Sequence, residues 1–464
     1  MTSLSEAHQG YWQVLPLHPT DKSHQHSPYH ATSLFAFNPL LISPDLMVEE
    51  GIIDQSELIS LFSIDSSGAG FLHVAPVKMN FLRSAARQNH CGSDDPGFEQ
   101  FRSRNRSWLE DYALFSAIAS SRGTDWSAWP ESLRDREPAA LAEERHKLSP
   151  AIEEDQYIQY VAFSQWDALH DHAGKHGVSI IGDLPLYPAY ESADVWAHKD
   201  LFRLDEEGRP LAVAGVPPDY FSSTGQWWGN PVYRWEAIEA QGFSWWEQRV
   251  KHLLSIGDCL RFDHFRGLEA CWEIPATAAT AGEGHWVRAP GHALLSCLAG
   301  TFPSLPLIAE DLGTITQEVR DLMTAFCIPG MRVLQFGFNR DPKNPHAPEA
   351  IGEDVVFYTG THDNNTVRGW FEEEAGREEM DRIASVLGRL PAPEESARDM
   401  IELALHTKAQ VVMIPVQDLL SLGSGARMNR PGTTEGNWQW RLQPGEPRPD
   451  DWTWLRERTI QAGR

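Results

Sequence analysis

Apolar and polar positions along the chain change repeatedly from a helical spacing to a strand spacing. One helical face is formed by apolar residues three or four positions apart: Ile158, Ala162, Trp166, Leu169 and Ala173. Gly177 follows as a candidate helix C-cap, and the apolar stretch VSIIGDLPL comes directly after it. The pattern predicts a helix followed by a buried strand.

The same pattern recurs further along the chain. Trp246, Val250 and Leu253 form a second helical stripe, Gly257 interrupts it, and CLRFDHF follows. Five more stretches have the apolar character of buried strands: WQVLPL, PLIAEDL, MRVLQFGF, VVFYTGTHDN and QVVMIPVQDLL. The sequence therefore predicts seven strands separated by helices.

Apolar strands that alternate with amphipathic helices are typical of a parallel sheet covered by helices. Polar residues stand at the C-terminal ends of several predicted strands: Asp183, Asp263, Glu310, Asp363 and Asp418. In a (β/α)8 barrel this edge carries the active site. A doubly wound sheet is the alternative, but no G-x-G-x-x-G motif follows a strand to support its nucleotide-binding form. We predict an α/β chain with a (β/α)8 TIM barrel and insertions.

The domain organisation follows from where strand signals are sparse. We expect residues 1–464 to form a single catalytic barrel domain, with a helical insertion over about 40–155 and an aromatic loop insertion over 200–245 beside the active site. A closed barrel of this type has eight strands, whereas the sequence predicts seven. The predicted barrel is therefore one strand short.

Charge and composition narrow the range of partners. Acidic residues outnumber basic ones by 65 to 39, which gives a net charge of -26. A nucleic-acid partner is not expected, because binding to phosphates depends on Lys and Arg. The 18 tryptophans mostly serve core packing, but those in polar loops would suit stacking against sugar rings.

The cysteines and the N-terminal region indicate the cellular compartment in which the protein is expected. Five cysteines occur without a C-x-x-C pair, so neither a zinc site nor a disulfide framework is indicated. The N-terminal stretch lacks a basic region followed by an apolar core, and no apolar run approaches the roughly 20 residues that span a bilayer. We expect a cytoplasmic protein without a membrane partner; its oligomeric state is not indicated.

Four segments at predicted strand ends supply carboxylates: GDLPL, RFDHF, AEDLG and THDN. A single such carboxylate is often only a helix cap or a loop-ordering acceptor. Four of them around one barrel mouth would crowd like charges together, which raises at least one pKa and points to function. Two carboxylates about 5 Å apart are what a retaining glycosidic reaction requires, one as nucleophile and one as proton donor.

Neighbouring side chains fit this chemistry. Arg261 lies two residues before Asp263 and therefore on the same strand face, where it could keep that aspartate ionised. The adjacent His362 and Asp363 could bind sugar hydroxyls from the other side of the mouth.

The segment GVPPDYFSSTGQWWGNPVYRW, residues Gly215–Trp235, is predicted to be a loop because of its Pro, Gly and Ser content. One interpretation is a structural loop anchored by its aromatic residues. The other is a sugar-stacking lid beside the mouth, with Tyr220, Phe221 and Trp228 as platforms.

A metal-dependent alternative rests on the stretch HQHSPYH, which contains His24, His26 and His30. These histidines lie several residues beyond the first predicted strand, in a loop that also contains Lys and Ser. We favour a solvated His-rich loop over a metal site, and we expect no metal and no organic cofactor.

The sequence resembles the amylomaltases or disproportionating enzymes, the 4-alpha-glucanotransferases of glycoside hydrolase family 77. The resemblance extends from YWQVLPL almost to the C-terminus. It rests on long stretches as well as on the four short segments: GDLPLYPAYESADVWA, GVPPDYFSSTGQWWGNPVYRW, RFDHFRGLEACWEIP, AEDLGTIT, PGMRVLQFGF, YTGTHDNNT and RPGTTEGNWQWRL. It implies a transferase of glycogen or starch metabolism that acts on α-1,4-glucans and maltooligosaccharides.

The resemblance also implies roles for individual residues. Asp263 would be the nucleophile, Glu310 the general acid/base and Asp363 the transition-state stabiliser. The remaining residues expected to bind substrate or support the site are Tyr29, Asp183, Tyr220, Phe221, Ser222, Trp228, Arg261 and His362.

The chain departs from the family pattern near its start. Family members usually carry a strand and loop resembling GILLHPTSLPGPYGIGDLG, followed by a helix, before YWQVLPL, and this chain lacks both. The strand missing from the predicted barrel is therefore the family's first. A start codon upstream of Met1 or a truncated homologue would each account for it. The loop PTDKSHQHSPYH also differs from the family's usual PTGYGDSPYQ type, with Tyr29 kept and His30 in place of Gln or Ser.

Three functions remain open from the residues alone. The first is a retaining glucanotransferase, whose covalent intermediate is intercepted by a sugar 4-hydroxyl. The second is an α-glucan hydrolase with the same carboxylates. The third is an inactive glucan-binding homologue. Only the resemblance favours transfer over hydrolysis.

Overall fold

A computed structural model of the chain describes residues 1–62, 71–90, 95–218 and 224–464. The strands are β1 Tyr11–Gln13, β2 Ser179–Leu184, β3 Ala212–Val216, β4 Gln226–Pro231, β5 Cys259–Phe262, β6 Ala270–Pro275, β7 His285–Arg288, β8 Leu307–Ala309, β9 Gly330–Val333, β10 Val355–Tyr358 and β11 Val411–Met413. The helices are α1 Thr2–Glu6, α2 Pro44–Glu49, α3 Gln55–Phe62, α4 Phe71–His90, α5 Pro96–Arg104, α6 Arg106–Arg122, α7 Glu131–Arg134, α8 Pro138–Lys147, α9 Ser149–Lys175, α10 Ala193–Ala197, α11 Trp235–Ala240, α12 Ser244–Leu253, α13 Gly291–Thr301, α14 Gln317–Ala325, α15 Val367–Glu373, α16 Arg377–Leu387, α17 Pro393–Leu405, α18 Val416–Leu419 and α19 Pro449–Gln461.

The main sheet has seven parallel strands in the order β1-β2-β5-β8-β9-β10-β11. Each of the seven predicted strand stretches contains one of them. Helices connect the successive strands, as a parallel sheet requires. The sheet curves into a nearly closed barrel, and the predicted TIM-barrel fold is confirmed.

The curvature of the sheet is visible in its inner face. Side chains from five strands pack into one cluster: Ile181, Ile308, Met331, Val333, Val356, Tyr358 and Met413. The hydroxyl of Tyr358, on β10, donates to Oε1 of Gln13, on β1, at 2.8 Å. Because β1 and β10 lie towards opposite ends of the strand order, this bond requires the sheet to curl back on itself.

The two outer strands of the barrel sheet are β1 and β11, and no strand in the described ranges pairs with both. The described residues thus supply seven of the eight strands of a (β/α)8 barrel. Helix α19 packs against α1, which precedes β1, and against α17, which precedes β11. The side chain of Gln9 donates to Thr459 Oγ1 at 3.0 Å on the same side. We call this β1–β11 gap, with α19 beside it, the seam.

The chain between β1 and β2 begins with an irregular segment and is then mainly helical. Helices α2 to α9 lie within residues 44–175 and are joined by short turns and by the segments outside the description. Helix α9 carries the predicted apolar face, with Ile158, Ala162, Trp166 and Ala173 buried, and Gly177 follows it with a positive φ of 70°. None of the described helices is long and apolar enough to cross a membrane.

The structure differs from the sequence-based expectation over residues 215–235, which was a loop. Strands β3 and β4 pair antiparallel here and belong to a four-stranded sheet in the order β4-β3-β6-β7. Gly215 lets β3 approach its neighbours, because a Cβ there would lie 2.2 Å from the Gln226 carbonyl oxygen. The Gly and Pro content indicated a loop, whereas pairing with the distant strand β6 determines the outcome.

A buried arginine anchors the chain just beyond β2. Arg249, on α12, donates to the carbonyl oxygens of Pro185 at 2.6 Å and Leu186 at 3.3 Å. Its guanidinium lies 4.8 Å and 4.6 Å from the ring centroids of Trp245 and Trp246. The desolvated cation thus has aromatic faces and carbonyl oxygens around it, and it fixes the segment that follows Asp183.

Replacing Arg249 by Met should lower the free energy of unfolding by about 3 kcal/mol, because buried carbonyl oxygens lose their donor. Urea unfolding followed by circular dichroism measures the change. The matched control is Arg456→Met on α19, where the arginine is exposed and the free energy of unfolding should stay within about 0.5 kcal/mol of the parent. Equal effects of the two substitutions would contradict the anchoring role.

Candidate active site

Arg261 lies at the centre of the polar groups at the C-terminal edge of the barrel. Its Nη1 donates to Asp183 Oδ2 at 2.7 Å, and its Nη2 donates to Asp263 Oδ1 at 2.8 Å. The Arg261 side chain is 5% exposed and that of Asp183 is fully buried, whereas Asp263 is 27% exposed. One buried cation therefore orients an interior carboxylate and a carboxylate that a ligand can reach.

Local backbone geometry explains this arrangement. Asp183 and Arg261 are opposite each other in the parallel register of β2 and β5. Asp263 is the first residue beyond β5, and its N–H donates to the Leu184 carbonyl at 3.0 Å. His264 then adopts a left-handed conformation with φ of 50°, which ends the strand direction directly after Asp263.

Glu310 follows β8 and is held by backbone donors. Its Oε2 accepts from the His264 N–H and its Oε1 from the Leu312 N–H, each at 2.9 Å. The His264 bond links Glu310 directly to the residue after Asp263. The predicted nucleophile and the predicted acid therefore lie close together, at the ends of two neighbouring strands.

The electrostatic environment separates Glu310 from an ordinary carboxyl group. Burial raises the pKa of Glu310 to about 7; Arg261 opposes this rise, and the negative charge of Asp263 adds to it. Burial alone would lower the pKa of Arg261, but the combined attraction of Asp183, Tyr29, Asp263 and Glu310 outweighs it, and the pKa lies well above its usual value. A group with the pKa of Glu310 can both donate and accept a proton near neutral pH.

Tyr29 connects the Arg261 group to the other side of the mouth. Its hydroxyl donates to Asp183 Oδ2 at 3.2 Å, and Arg261 donates to the same hydroxyl at 3.3 Å. Its ring stacks on His362 with centroids 5.2 Å apart. His362 Nε2 lies 3.5 Å from Asp363 Oδ1, and the Asp363 side chain is 46% exposed. These contacts bring Asp363 to the same mouth as Asp263.

Asn429 and Arg427 hold Asp363, and the sequence analysis did not identify either. Asn429 Nδ2 donates to Asp363 Oδ1 at 2.7 Å, and its N–H donates to the His362 carbonyl at 3.0 Å. Arg427 Nη2 donates to the Asp363 carbonyl at 2.8 Å. Their position in a loop 64 and 66 residues beyond Asp363 gives no local signal; the motif RPGTTEGNWQWRL, which begins at Arg430, was the only indication nearby.

Asp418 has a different position from the other predicted strand-end carboxylates. Its side chain is buried, and it accepts from Thr359 Oγ1 at 2.7 Å and from the Val367 N–H at 2.8 Å. Asp418 thus ties the end of β10 to the start of α15. It supports the loop that carries Asp363 without reaching the mouth.

Trp228 packs edge-to-face on His264, with centroids 4.8 Å apart, and so lies beside Asp263 and Glu310. The side chain of Trp438 adds a further ring, with its centroid 6.0 Å from that of Tyr29. The other predicted lid residues, Tyr220, Phe221 and Ser222, lie outside the described residues.

The three histidines of the metal alternative do not converge. His24 and His30 stack with centroids 3.9 Å apart, and His26 Nδ1 contacts Thr20 Oγ1 at 3.0 Å. In the part of the chain that is described, no group of three or more His, Cys, Asp or Glu side chains has a geometry that could hold a metal ion.

The chain is similar in sequence and in structure to known proteins. Residues 1–446 match the model of a protein family described as 4-alpha-glucanotransferase. A 4-alpha-glucanotransferase of Aquifex aeolicus is 45% identical over 440 residues, covering 95% of this chain and 89% of the relative. One from Thermus thermophilus is 44% identical over 463 residues, covering 98% and 91%. The amylomaltase of Streptococcus agalactiae, solved in complex with acarbose, has a TM-score of 0.94 at 33% identity, covering 100% of this chain and 93% of that one.

The raised pKa of Glu310 can be measured directly. Infrared difference spectra between the parent chain and Glu310→Gln should isolate a carboxyl group that titrates at about pH 7. In an Asp263→Asn background the same group should titrate at lower pH, because the negative charge that adds to the pKa is gone. An unchanged midpoint in that background would show that the two groups do not interact.

Proposed function

The chain belongs to the 4-alpha-glucanotransferase family, and from this premise we propose that it transfers α-1,4-glucan segments between maltooligosaccharides or longer glucans by a retaining double displacement. The observation that carries the mechanism is the linked pair of Asp263, bound to Arg261, and Glu310, whose pKa is about 7. A retaining reaction needs one ionised and one protonated carboxyl group, and this site provides an environment for each.

In the first step, Asp263 attacks the anomeric carbon at the cleaved α-1,4 bond. Arg261 donates to Oδ1 of Asp263 and so orients the carboxylate that acts as nucleophile. As the bond to the leaving oxygen breaks, Glu310 transfers its proton to that oxygen. The products are a glucosyl ester on Asp263 and a released glucan with a free hydroxyl group.

In the second step, the 4-hydroxyl of an acceptor sugar attacks the anomeric carbon of the glucosyl ester. Glu310, now a carboxylate, takes the hydroxyl proton, and the Asp263 carboxylate leaves. Two inversions at the anomeric carbon restore the α configuration. A pKa of about 7 suits Glu310 to both proton transfers.

We assign Asp363 to the positive charge that develops on the sugar ring in each step. Its exposed carboxylate is fixed by Asn429 and approached by His362, and burial lowers the pKa of His362 so that this imidazole stays neutral near pH 7. A neutral His362 can bind sugar hydroxyls without competing for the charge on Asp363. Asp183 is fully buried and paired with Arg261, so its proposed role is to support the site through that arginine.

Aromatic side chains around the mouth supply surfaces for sugar rings. Trp228 and Trp438 lie beside the two groups of carboxylates, and Tyr29 carries a hydroxyl inside the polar network. We extend the proposal to Tyr220, Phe221 and Ser222 as lid residues on the basis of the family resemblance. The four cysteines in the described part of the chain are free thiols, which agrees with the proposed cytoplasmic location; cell fractionation would test it.

Incubating the chain with maltotriose should yield glucose together with a ladder of longer maltooligosaccharides, which chromatography resolves. Asp263→Asn should reduce the rate of transfer by at least about 10⁴-fold, because the covalent intermediate cannot form. Asp258→Asn, directly before the start of the same strand and so at its opposite end, is the control and should retain activity. Glucose and maltose without longer sugars would indicate a hydrolase instead, and binding without turnover would indicate an inactive glucan-binding protein.

The role of Asn429 can be separated from simple packing. Asn429→Asp places a negative charge against Asp363 and should lower kcat by about 10²-fold or more, whereas Asn429→Ala removes one hydrogen bond and should lower it by about tenfold. Steady-state kinetics with maltotriose and thermal unfolding are measured on both variants. If both retained the parental kcat while folded, Asn429 would not position Asp363.

A further inference from the structure

A polar cavity lies in the helical part of the chain, between α5, α6 and α8. It has a volume of about 630 Å³ and contains none of the residues assigned to the active site. Four arginines and two acidic residues line it: Arg104, Arg106, Arg136, Arg145, Glu110 and Asp111. We call this the arginine cavity. Its lining carries a net charge of about +2 in a chain whose net charge is -26.

The acidic residues neutralise only part of the arginine charge. Arg136 Nη2 donates to Asp111 Oδ1 at 2.7 Å, and Arg145 Nη2 lies 4.0 Å from the same oxygen. Arg106 Nε donates to Glu110 Oε1 at 2.9 Å. Arg104 has no hydrogen-bond or ion-pair partner within the described ranges. Two guanidinium groups therefore share one carboxylate, and a third has none.

Arg136 is held in place on one side of the cavity. Its guanidinium lies 4.2 Å from the ring centroid of Trp196, and its side chain is only 20% exposed. Its Nη1 is buried with no hydrogen-bond partner among the residues described. A buried donor of this kind is costly unless a ligand or water accepts from it.

The start of α6 also faces this region. Arg106 and Ser107 are the first two residues of the helix, and the side chain of its N-cap, Asn105, caps no backbone N–H. The C-terminal end of α5 lies at the same place, so the two helix ends offset each other and the positive potential comes from the arginines.

We propose that the arginine cavity binds the phosphate monoester of a sugar. A phosphate monoester carries a charge of about -1.5 to -2 at neutral pH, which matches the excess charge of the lining, and guanidinium groups bind phosphate oxygens in pairs. Glu110 and Asp111 are acceptors for sugar hydroxyls, and Ser103 and Ser107 add hydroxyl groups to the lining. The volume lies within the range of pockets that hold small molecules.

Isothermal titration calorimetry of the full chain with glucose 6-phosphate tests the proposal. The parent should bind about one molecule per chain, with an affinity that falls as salt is added. Arg104→Ala/Arg145→Ala should weaken binding by at least about tenfold, while circular dichroism and maltotriose transfer remain unchanged. The matched control is Arg102→Ala/Arg122→Ala, which removes the same charge from α5 and α6 outside the cavity.

The sugar phosphate could be free or carried on a glucan chain, and a phosphorylated maltodextrin distinguishes the two. Tighter binding of the maltodextrin supports a phosphate on the polymer, and tighter binding of glucose 6-phosphate supports the free sugar. Inorganic phosphate binding as tightly as either would contradict recognition of a sugar. Equal losses in the two double variants, or no saturable binding by the parent, would overturn the site. None of these readouts depends on transferase activity.

Discussion

The structure of the active site depends on the ion pairs of one buried guanidinium group. Arg261 is almost inaccessible to solvent, and an isolated charge in that position would be prohibitively costly. Asp183 balances that charge from the neighbouring strand, and Asp263 uses the remaining side of the guanidinium. The Arg261 guanidinium therefore forms an ion pair inside the barrel and also fixes the orientation of Asp263, the side chain that meets the ligand. The pKa of Glu310 depends on the charges of Arg261 and Asp263, so it is a property of the three residues together.

Parallel strand pairing brings these residues together. Asp183 and Arg261 are 78 residues apart in sequence, yet the register of β2 and β5 places them opposite each other. Asp263 and Glu310 meet because Phe262 and Ala309 are paired in the next two strands. The barrel converts separate strand ends into one mouth, and the loops beyond β10 and β11 complete it with Asp363 and its partner Asn429.

Features that have a local signal in the sequence could be predicted from it. The seven barrel strands are marked by apolar runs, and the strand-end residues Asp183, Asp263 and Glu310 follow from those runs. Features that depend on distant contacts were missed. The pairing of β3 with β6 converted part of the expected loop at 215–235 into sheet, and Arg249 finds its carbonyl acceptors 63 and 64 residues away. The sequence around Asn429 has no periodicity or motif that predicts its contact with Asp363. The residue types were visible in each case, but the partner was set by the tertiary fold.

The seam has a consequence for how the chain reaches its folded state. Gln9 and Thr459 are hydrogen-bonded although 450 residues separate them, and α19 packs on α1 in the same region. Contacts of such long sequence separation form late, because the chain must be ordered over a very long loop before they contribute any stability. During synthesis, β1 stays without this cover until residues 449–461 have left the ribosome. In a folding intermediate that has not yet formed these contacts, β1 is therefore less protected than in the folded chain.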